Sequence, residues 1–530
     1  MLRFRTPPPE VRLVNAFEDS FDGAVAAART CYSAKGIVTP AEVAGDALES
    51  VEERDEAKRR RDALAKDIFQ AGHHTVYQHA HFQFAIDRVS RHSLWAFFHA
   101  HPFYNSEQVS QRYVKVARGQ AVVPELGPPA QQIYEQTLEL QQDAYYELTR
   151  MLVPVAQKIF FAVFPARQRQ PDKWRREIRR KAQEAARYVL PVATWARLYH
   201  TVSALTLLRY HRAARQFDVP TEIGLIVEAM IDRVLAKDSS YRLLIEAPLP
   251  LDVSCEARTF ERLGGVVDPR RAERFAREFD AQLDGRVSRL VGYSNRAEQI
   301  VAQAVREVLG SPRATLSDDD AIALAADPAC NVVYGDALNL ATVSKITRAL
   351  HHAQYTFSRK VSHTADSQDQ RHRMTPASRP VLLAHLQDGP DVILPSLVAA
   401  DDAARQFFAE RMEATWDAIT RLRRLDVPDE ALVYLLPNAV AVRATESADY
   451  NALKHKHAMR LCYNAQEEIW HSSLDEALQI REVHPRLGAY LEPPCTIRHR
   501  ADKTPYCPEG KRYCGVPVWR QLPQDYIRRM

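Results

Sequence analysis

Two polar segments of the chain carry side chains that could bind a phosphorylated ligand. Residues 106–113 read SEQVSQRY and residues 367–373 read SQDQRHR. The second segment ends in Arg371, His372 and Arg373, which offer up to three cationic groups. The planar fork of an arginine can meet a phosphate through two parallel hydrogen bonds. We interpret both segments as candidate phosphate or pyrophosphate sites, although a solvated helix start with surface arginines would show the same residues.

Phosphate binding by a glycine-rich loop is not expected. The sequence contains no GxGxxG, GxxxxGK(S/T), HExxH or GxSxG motif. Glycine accounts for only 17 of the 530 residues, less than half of the usual share of about 7%. Side chains would therefore have to hold a phosphorylated ligand, and helices should dominate the fold.

Composition places the chain among soluble globular proteins. Apolar residues make up 46% and charged residues 26% of the sequence, which excludes wholesale disorder. The 71 basic and 67 acidic residues nearly cancel, to a net charge of +4, so net charge alone implies neither a nucleic-acid nor a membrane partner. Seven cysteines, an odd number, are typical of reduced thiols. With no export signal and no apolar run of membrane-spanning length, the sequence predicts a cytoplasmic protein.

The patterns of apolar residues predict an α+β protein in which helices and short strands position these segments. Helices are predicted over residues 46–70, 131–164, 177–215, 402–424 and 445–480, and strands at residues 82–86 and 355–357.

Two short motifs occur twice in the same order. HAHFQF at residues 79–84 resembles HAQYTF at residues 352–357, and YVLP at residues 188–191 resembles YLLP at residues 434–437. A divergent tandem duplication is the simplest explanation. Prolines near residues 246–250 favour a boundary there. We therefore predict a first copy over residues 1–247, a connector and second copy over residues 248–485, and a cysteine-containing tail over residues 486–530.

Both copies resemble the flavin-dependent thymidylate synthases. The signature of that family is Arg-His-Arg, a spacer and Glu/Gln-x-Ser-x-Arg-Tyr, preceded by a Gly-His-x-Thr/Ser turn and a Glu-His-x-x-Phe-x-Phe strand. The first copy matches at Ala27–Tyr32, Gly72–Thr75, Gln78, His79, Phe82, Phe84, Gln108–Tyr113 and Ala186–Pro191. The resemblance covers residues 10–240 and, more loosely, residues 335–480. It implies that each copy is a mainly antiparallel sheet packed with long helices.

Each copy departs from the signature at different places. The first copy has His99-Ala100-His101 where Arg-His-Arg is expected, and Ala214 in place of a late-helix arginine. The second copy keeps Gln-x-x-Arg-His-Arg at residues 368–373 and the late arginine as Arg460. It lacks the Ser-x-Arg element, and it has no counterpart of Arg187 before its Leu-Pro dipeptide. The losses are therefore complementary.

The resemblance implies one composite dUMP site, because each nucleotide site of the family is shared between two subunits. The second copy would supply Gln368, Arg371 and Arg460, and the first copy would supply Gln108, Val109, Ser110, Gln111, Arg112 and Arg187. The second possible site, in which the two copies would exchange these roles, would be inactive.

The implied reaction is the reductive methylation of dUMP to dTMP, with methylenetetrahydrofolate, NADPH and FAD. Arg112 and Arg187, with Ser110, would hold the dUMP phosphate. Arg460 would be the catalytic residue, since a cation beside the uracil favours its N3-deprotonated form. FAD would be bound by Arg371, His372, Arg373, Gln108 and Thr75.

One flavin-binding segment of the family, Val-Asn-x-Arg, is poorly matched. The corresponding residues are VSAL at 202–205 and ADYN at 448–451. Asn451 or His455 are the candidates to replace it. A catalytically inactive nucleotide-binding relative is therefore the alternative function.

The tail and one basic run leave other hypotheses open. Cys495, His499, Cys507 and Cys514 could close a structural zinc site, or the thiols could be free. The run at residues 167–181 holds eight basic residues and Trp174, and predicts either a nucleic-acid patch or, more commonly, a solvated helix face. The family is usually tetrameric, so a homodimer of this chain would form a pseudo-tetramer of copies.

Overall fold

The computed structural model describes residues 2–100, 103–522, 525, 526 and 528. It divides into two compact units, and each unit combines segments of both sequence copies. Unit 1 comprises Met1–Leu140, Pro191–Val266 and Asp417–Leu436, and unit 2 comprises Gln141–Leu190, Val267–Trp416 and Pro437–Met530. The compact units are therefore not the same as the predicted sequence modules.

Each unit contains one four-stranded antiparallel sheet. The strands of unit 1 are β1 (Glu10–Ala16), β2 (His81–Ser90), β3 (Asn105–Gln108) and β4 (Trp195–Ser203), in the order β1-β2-β4-β3. Those of unit 2 are β5 (Ser288–Tyr293), β6 (Gln354–Ser362), β7 (Ala377–Ser378) and β8 (Ala441–Asp449), in the order β5-β6-β8-β7. The shared topology is what a tandem duplication requires, and the α+β class is confirmed.

Helices make up most of the remaining described residues. The helices before residue 250 are α1 (Ser20–Thr30), α2 (Pro40–Ala44), α3 (Val51–Gln70), α4 (Arg91–Ser93), α5 (Pro128–Val163), α6 (Pro171–Ala186), α7 (Ala204–Ala213) and α8 (Thr221–Lys237). A short π-helical turn, Leu94–Phe98, comes after α4. The later helices are α9 (Cys255–Arg262), α10 (Pro269–Leu283), α11 (Ala297–Leu309), α12 (Asp318–Ala326), α13 (His363–Asp369), α14 (Ser396–Ala399), α15 (Asp402–Arg424), α16 (Asp429–Val433), α17 (Tyr450–Arg460), α18 (Glu467–Val483), α19 (Pro485–Gly488) and α20 (Pro494–Arg500).

Alternating burial explains the two central strands. Phe82, Phe84 and Ile86 of β2 face the core of unit 1, and Tyr355 and Phe357 of β6 face the core of unit 2. Apolar side chains at every second position of a strand lie on one face of the sheet. The predicted strands are confirmed, as are the helices predicted over residues 46–70, 131–164 and 402–424, whose observed counterparts are α3, α5 and α15. In the described part of the chain, no helix combines the length and apolar character that crossing a membrane requires.

Two helix predictions were wrong because each span contains a strand. Residues 177–215 hold the end of α6, then β4 and α7, and residues 445–480 begin inside β8 before α17 and α18. In β4, the buried position 200 is a histidine, and in β8 Arg443 and Glu446 are buried. These polar residues on the buried face obscure the alternation of apolar and polar residues by which a strand is recognised.

The central strand of each sheet ends at a serine held by a buried glutamate. In unit 1, the Ser90 hydroxyl donates to Glu222 at 2.6 Å, and its backbone N–H donates to the same carboxylate at 2.8 Å. Ser90 also caps α4, accepting from the N–H of Ser93 at 3.0 Å. Tyr434 completes the set, its hydroxyl 3.4 Å from Glu222. Burial raises the pKa of Glu222 above its ordinary value, although these donors favour the charged form.

The corresponding arrangement in unit 2 joins Ser362, Glu468 and Tyr188. The Ser362 hydroxyl donates to Glu468 at 2.6 Å and its N–H at 2.5 Å, while the Tyr188 hydroxyl donates to the same carboxylate. Burial raises the pKa of Glu468 as well. One hydrogen-bonded set thus fixes the strand end in both units.

Removing the Ser90 hydroxyl should destabilise the protein. Ser90→Ala removes a helix cap and a donor to a buried carboxylate, so we expect the free energy of unfolding to fall by about 2–3 kcal/mol. Ser50→Ala is the matched control, because it removes the cap of α3 at a solvent-exposed position, and should cost about 1 kcal/mol. Urea denaturation monitored by circular dichroism measures both, and equal losses would contradict a special role for Ser90.

Candidate functional site

The helix after β6 presents the polar segment predicted to bind phosphate. Ser362 caps α13 by accepting from the N–H of Ala365 at 3.1 Å. The helix ends at Asp369, which places Gln368 in its last turn. Arg371, His372 and Arg373 come shortly after the helix end, and both arginines are exposed. The cap at one end of α13 thereby determines where the residues at its other end lie.

An arginine from the first copy and a glutamine of this segment share a hydrogen-bond partner inside unit 2. Arg187 is only 3% exposed and lies directly after the last residue of α6. Its Nη2 donates to Oε1 of Gln466 at 2.7 Å, and Nε2 of Gln368 donates to the same oxygen. Nε2 of Gln466 in turn donates to the hydroxyl of Tyr188 at 2.5 Å. Gln466 is a site residue that sequence reasoning missed, and its position just before the Glu468 of the second copy was the available signal.

Arg460 joins the same group from the end of α17. Its Nη2 donates to the carbonyl oxygen of Gln368 at 2.6 Å, and its Nε lies 3.3 Å from Oδ1 of Asp369. The structure therefore brings together three residues predicted to bind dUMP, namely Gln368, Arg187 and Arg460.

A cluster of buried charges lies beside Arg460. Lys456 is 3.1 Å from Asp369 and also pairs with Glu446 and Glu476, the latter at 3.4 Å. Arg359 pairs with Asp369, and with Glu446 at 3.4 Å. Burial disfavours the charged form of Asp369, but Lys456, Arg359 and Arg460 together hold its pKa well below its usual value. Asp369 is therefore a carboxylate at neutral pH.

Three more residues, Asp366, Arg379 and His457, complete the charged cluster. Asp366, fully buried, lies 2.8 Å from Arg359 and 2.6 Å from Arg379. His457 contacts Glu476, with Nε2 2.9 Å from Oε2. Burial acts against the charge of Glu476, yet Lys456 and His457 lower its pKa to about 2.

The Arg-His-Arg segment contains two cations rather than three at neutral pH. Burial and the nearby charge of Arg460 hold the pKa of His372 well below its ordinary value. Its ring lies edge-on to that of His455, with the centroids 5.8 Å apart. The segment therefore offers two guanidinium groups around a neutral imidazole.

The two proposed replacements for the poorly matched flavin segment both lie on α17. Nδ1 of His455 is 3.0 Å from the side-chain amide of Asn339, and the Asn451 amide is 3.3 Å from Nε2 of His351. His351 also faces Asp449, at 3.0 Å. Both candidates thus take part in polar contacts. The ring of His455 also packs against that of His372. Binding of flavin by either residue stays a prediction.

The remaining predicted ligands lie in unit 1. Gln108 ends β3 and accepts from Nη1 of Arg91 at 3.0 Å, while Nη2 of Arg91 donates to the Val109 carbonyl at 2.6 Å. The Ser110 hydroxyl accepts from the N–H of Arg112 at 3.2 Å. Gln111 is buried, the Arg112 guanidinium lies over the ring of Tyr113, and Thr75 is exposed in a short 3-10 turn. Their roles toward dUMP and FAD stay predictions.

Aromatic rings fill the part of unit 1 that corresponds to the charged cluster. His99, which replaces the first arginine of the signature, stacks on Tyr104 at 5.1 Å, and its Nε2 lies 3.2 Å from the Ser106 hydroxyl. Tyr104 in turn stacks on His200, which stacks on Tyr210. His101 lies outside the described residues. In unit 1, the described residues between α4 and β3, Leu94–Ala100 and residues 103–104, contain no arginine.

Cys495 and Cys507 of the tail pack into a small core with Trp470. Burial, together with the neighbouring thiols of Cys462, Cys514 and Cys507, raises the pKa of Cys495 to about 12. The ring of His499 packs against Tyr506. Within residues 2–100, 103–522, 525, 526 and 528, no group of three or more histidine, cysteine, aspartate or glutamate side chains is arranged to hold a metal ion.

Some side chains of the basic run at residues 167–181 make contacts within unit 2, and others are exposed to solvent. The Arg167 guanidinium lies 4.1 Å from the ring centroid of Trp174 and 3.9 Å from that of Phe164. Ile178 and Ala182 form the buried face of α6. The tryptophan of this run is thus packed against an arginine of the same run.

A cavity of about 200 Å³ lies beside Gln466 in unit 2. Its walls include Tyr188 and Glu468, together with Lys181 and His471. The cavity therefore shares Tyr188 and Gln466 with the hydrogen-bonded group around Arg187.

Comparisons with known proteins match the chain in two successive segments. The family model of thymidylate synthase complementing proteins (Thy1) matches residues 12–238 and 289–486. The flavin-dependent thymidylate synthase of Geobacter sulfurreducens is 30% identical over 169 residues, which are 31% of this chain and 70% of the relative. That of Clostridium tetani is 27% identical over 214 residues, which are 40% of this chain and 76% of the relative.

A solved structure also overlaps in part. The UMP/dUMP methylase PolB from Streptomyces cacaoi, bound with 5-Br dUMP, is 16% identical, with 46% of this chain and 98% of that chain covered at a TM-score of 0.30. An overlap this low supports no comparison of the two folds. Because the family model matches more than half of the chain, in two copies, the chain belongs to the thymidylate synthase complementing protein family as a tandem duplication of its module.

Proposed function

We propose that the chain catalyses the reductive methylation of dUMP to dTMP, with a nucleotide site built around Arg187, Gln368 and Arg460. The observation that carries this proposal is the hydrogen-bond network that connects these residues in unit 2: Arg187 and Gln368 both donate to Gln466, and Arg460 donates to the backbone carbonyl of Gln368. Arg187 comes from the first copy, and Gln368 and Arg460 come from the second. Relatives named flavin-dependent thymidylate synthases support the reaction class.

Arg187 would bind the dUMP phosphate. Its guanidinium is buried and oriented by Gln466, so little conformational freedom remains to be lost on binding. Ser110 and Arg112 are proposed as further phosphate ligands on the ground of the sequence signature alone.

Arg460 would act on the uracil ring. A fixed cation beside the ring stabilises the negative charge of the N3-deprotonated form, which makes C5 a better nucleophile. No cysteine nucleophile is needed for this activation. The residue is suited to the role because Gln368 and Asp369 hold its guanidinium from two sides.

The Arg-His-Arg segment fits an anionic cofactor such as FAD by its donor chemistry. Arg371 and Arg373 are exposed guanidinium groups that can pair with a pyrophosphate, and the neutral His372 can hydrogen-bond without adding charge. When bound, FAD would supply the hydride chemistry, with NADPH as reductant and methylenetetrahydrofolate as carbon donor. Gln108 and Thr75 are proposed as additional FAD ligands from the family signature.

An inactive nucleotide-binding relative is the second candidate function. The observation that favours it is the poorly matched flavin segment. Asn451 stands where the family has the arginine of that segment, and its amide contacts His351. Binding of dUMP without FAD would distinguish this candidate from the synthase.

The visible absorption spectrum of the purified protein tests the proposed reaction most directly. We expect added FAD to bind and its spectrum to shift when dUMP is titrated, because the proposed cofactor and substrate residues are adjacent in sequence at 368–373. Binding of dUMP with no flavin bound would instead support the inactive relative.

Arg460→Ala should strongly reduce dTMP formation while the protein still folds. The expected loss is at least about 100-fold in kcat/KM, because a charge that stabilises the reacting ring is removed. Arg215→Ala is the matched control, since Arg215 flanks the corresponding position of the first copy and pairs with Glu228 at an exposed surface. If Arg215→Ala were as severe as Arg460→Ala, the assignment of the site to the second copy would be wrong.

A further inference from the structure

The two units provide an internal comparison, because the same fold carries different residues at matching core positions. Phe84 pairs with His200 between β2 and β4, and Phe357 pairs with Glu446 at the same place between β6 and β8. Two residues further along each central strand, unit 1 has Ile86 and unit 2 has Arg359, and both are about 1% exposed. The buried ion pair of Arg359 and Glu446 in unit 2 thus occupies the positions that Ile86 and His200 occupy in unit 1.

The helices show the same replacement. Seven residues after the capping Ser90 lies Phe97, and seven residues after the capping Ser362 lies Asp369. Tyr210 and Lys456 are both seven residues after the capping residues of α7 and α17. Met230 and Glu476 are both eight residues after the buried glutamate of their unit. All of these side chains are buried.

This fold does not need charges at these positions, because unit 1 forms the same sheet without them. Taking charged groups out of water costs free energy that ion pairing recovers incompletely, and well-packed apolar residues usually stabilise a core at least as well. The member of the cluster that contacts a group outside it, Asp369, is therefore better explained by its effect on that group than by its contribution to stability.

The neighbouring group is Arg460. Ion pairs within the described part of unit 2 connect four carboxylates to three cations and to Arg460; the carboxylates are Asp366, Asp369, Glu446 and Glu476, and the three cations are Arg359, Arg379 and Lys456. Asp369 links the cluster to Arg460, with Oδ1 3.3 Å from its Nε. The other oxygen, Oδ2, faces Arg359 and Lys456.

We propose that Asp369 is a positioning residue for Arg460. Arg359 and Lys456 hold one oxygen of its carboxylate, and the other oxygen fixes the guanidinium of Arg460 before the nucleotide binds. This inference rests on the proposed function, in which Arg460 acts on the uracil ring. At the matching position of unit 1, Phe97 packs against Phe98 and Tyr210, and no arginine is available at Ala214.

Asp369→Asn tests the proposal by dUMP binding in the full-length protein. We expect the affinity for dUMP to fall at least about tenfold, because a charge-assisted contact to Arg460 is lost. Asp369→Glu should restore part of the affinity. Glu446→Gln is the matched control, since Glu446 is an equally buried carboxylate that pairs with the same Arg359 and Lys456. It should lower the melting temperature as much as Asp369→Asn while leaving the dUMP affinity within about twofold of wild type.

A double-mutant cycle tests whether Asp369 acts through Arg460. Adding Asp369→Asn to Arg460→Ala should cause no further loss of dUMP affinity, because the partner is already absent. If the fold-losses of dUMP affinity in the two single variants multiply in the double variant, the two residues act independently and the proposal is overturned. Equal losses of affinity in Asp369→Asn and Glu446→Gln would also overturn it. If Asp369→Asn does not fold, Asp369→Asn combined with Lys456→Met removes one charge of each sign and provides the same comparison.

A measurement without nucleotide separates this inference from the proposed function. Nitrogen NMR of the Arg460 guanidinium, assigned with Arg460→Lys, reports how freely that group rotates. We expect slow rotation in the wild type and in Glu446→Gln, and fast rotation in Asp369→Asn. Unchanged rotation in Asp369→Asn would overturn the positioning role even if dUMP binds. Failure of the wild type to bind dUMP, with the expected rotation rates, would instead overturn only the proposed function.

Discussion

The carboxylate of Glu468 is the constraint on which the candidate site depends. It accepts from the hydroxyl and N–H of Ser362, where α13 begins, and from the hydroxyl of Tyr188, the residue next to Arg187. One buried group therefore fixes two chain segments that are far apart in sequence. Because α13 is a regular helix of seven residues, fixing its start also places Gln368 and Asp369 at its end. Gln466, two residues before Glu468, then joins Arg187 to Gln368.

Unit 1 contains the same constraint without the site. Glu222 holds Ser90 and Tyr434 as Glu468 holds Ser362 and Tyr188, and the sheet order is the same. The residues after the capped serine differ, because Phe97 and Phe98 are apolar where the second unit has Asp369 and Gln370. The duplication has thus kept the hydrogen bonds that build the fold in both units, whereas the segment after the capped serine ends in polar residues in unit 2 and in apolar residues in unit 1.

The division of segments between the units explains how residues of both copies come together in unit 2. Residues 141–190 of the first copy belong to the compact unit that carries the sheet of the second copy. Arg187 is therefore part of the same packed body as Gln368 and Arg460.

The sequence by itself determined much of the local structure and the family. The alternation of apolar and polar residues in β2 and the similar signal in β6 were sufficient to predict those strands, and the quoted motifs were sufficient to identify the relatives. The sequence did not reveal β4 and β8, because His200, Arg443 and Glu446 are polar residues on buried positions. Such residues are stable there only through partners on other elements, and those partners are set by tertiary packing.

The same distinction applies to the candidate site: the sequence identified its residues, and the tertiary structure determined their contacts. Arg187, Gln368 and Arg460 were identified from their motifs, but their meeting at Gln466 and the link from Asp369 to the buried cations were not. A motif specifies residue types at short spacing, whereas a contact between residues 187 and 466 depends on how the helices pack. Tertiary structure also decided that His372 is neutral, since burial and the charge of Arg460, rather than its sequence neighbours, set its pKa.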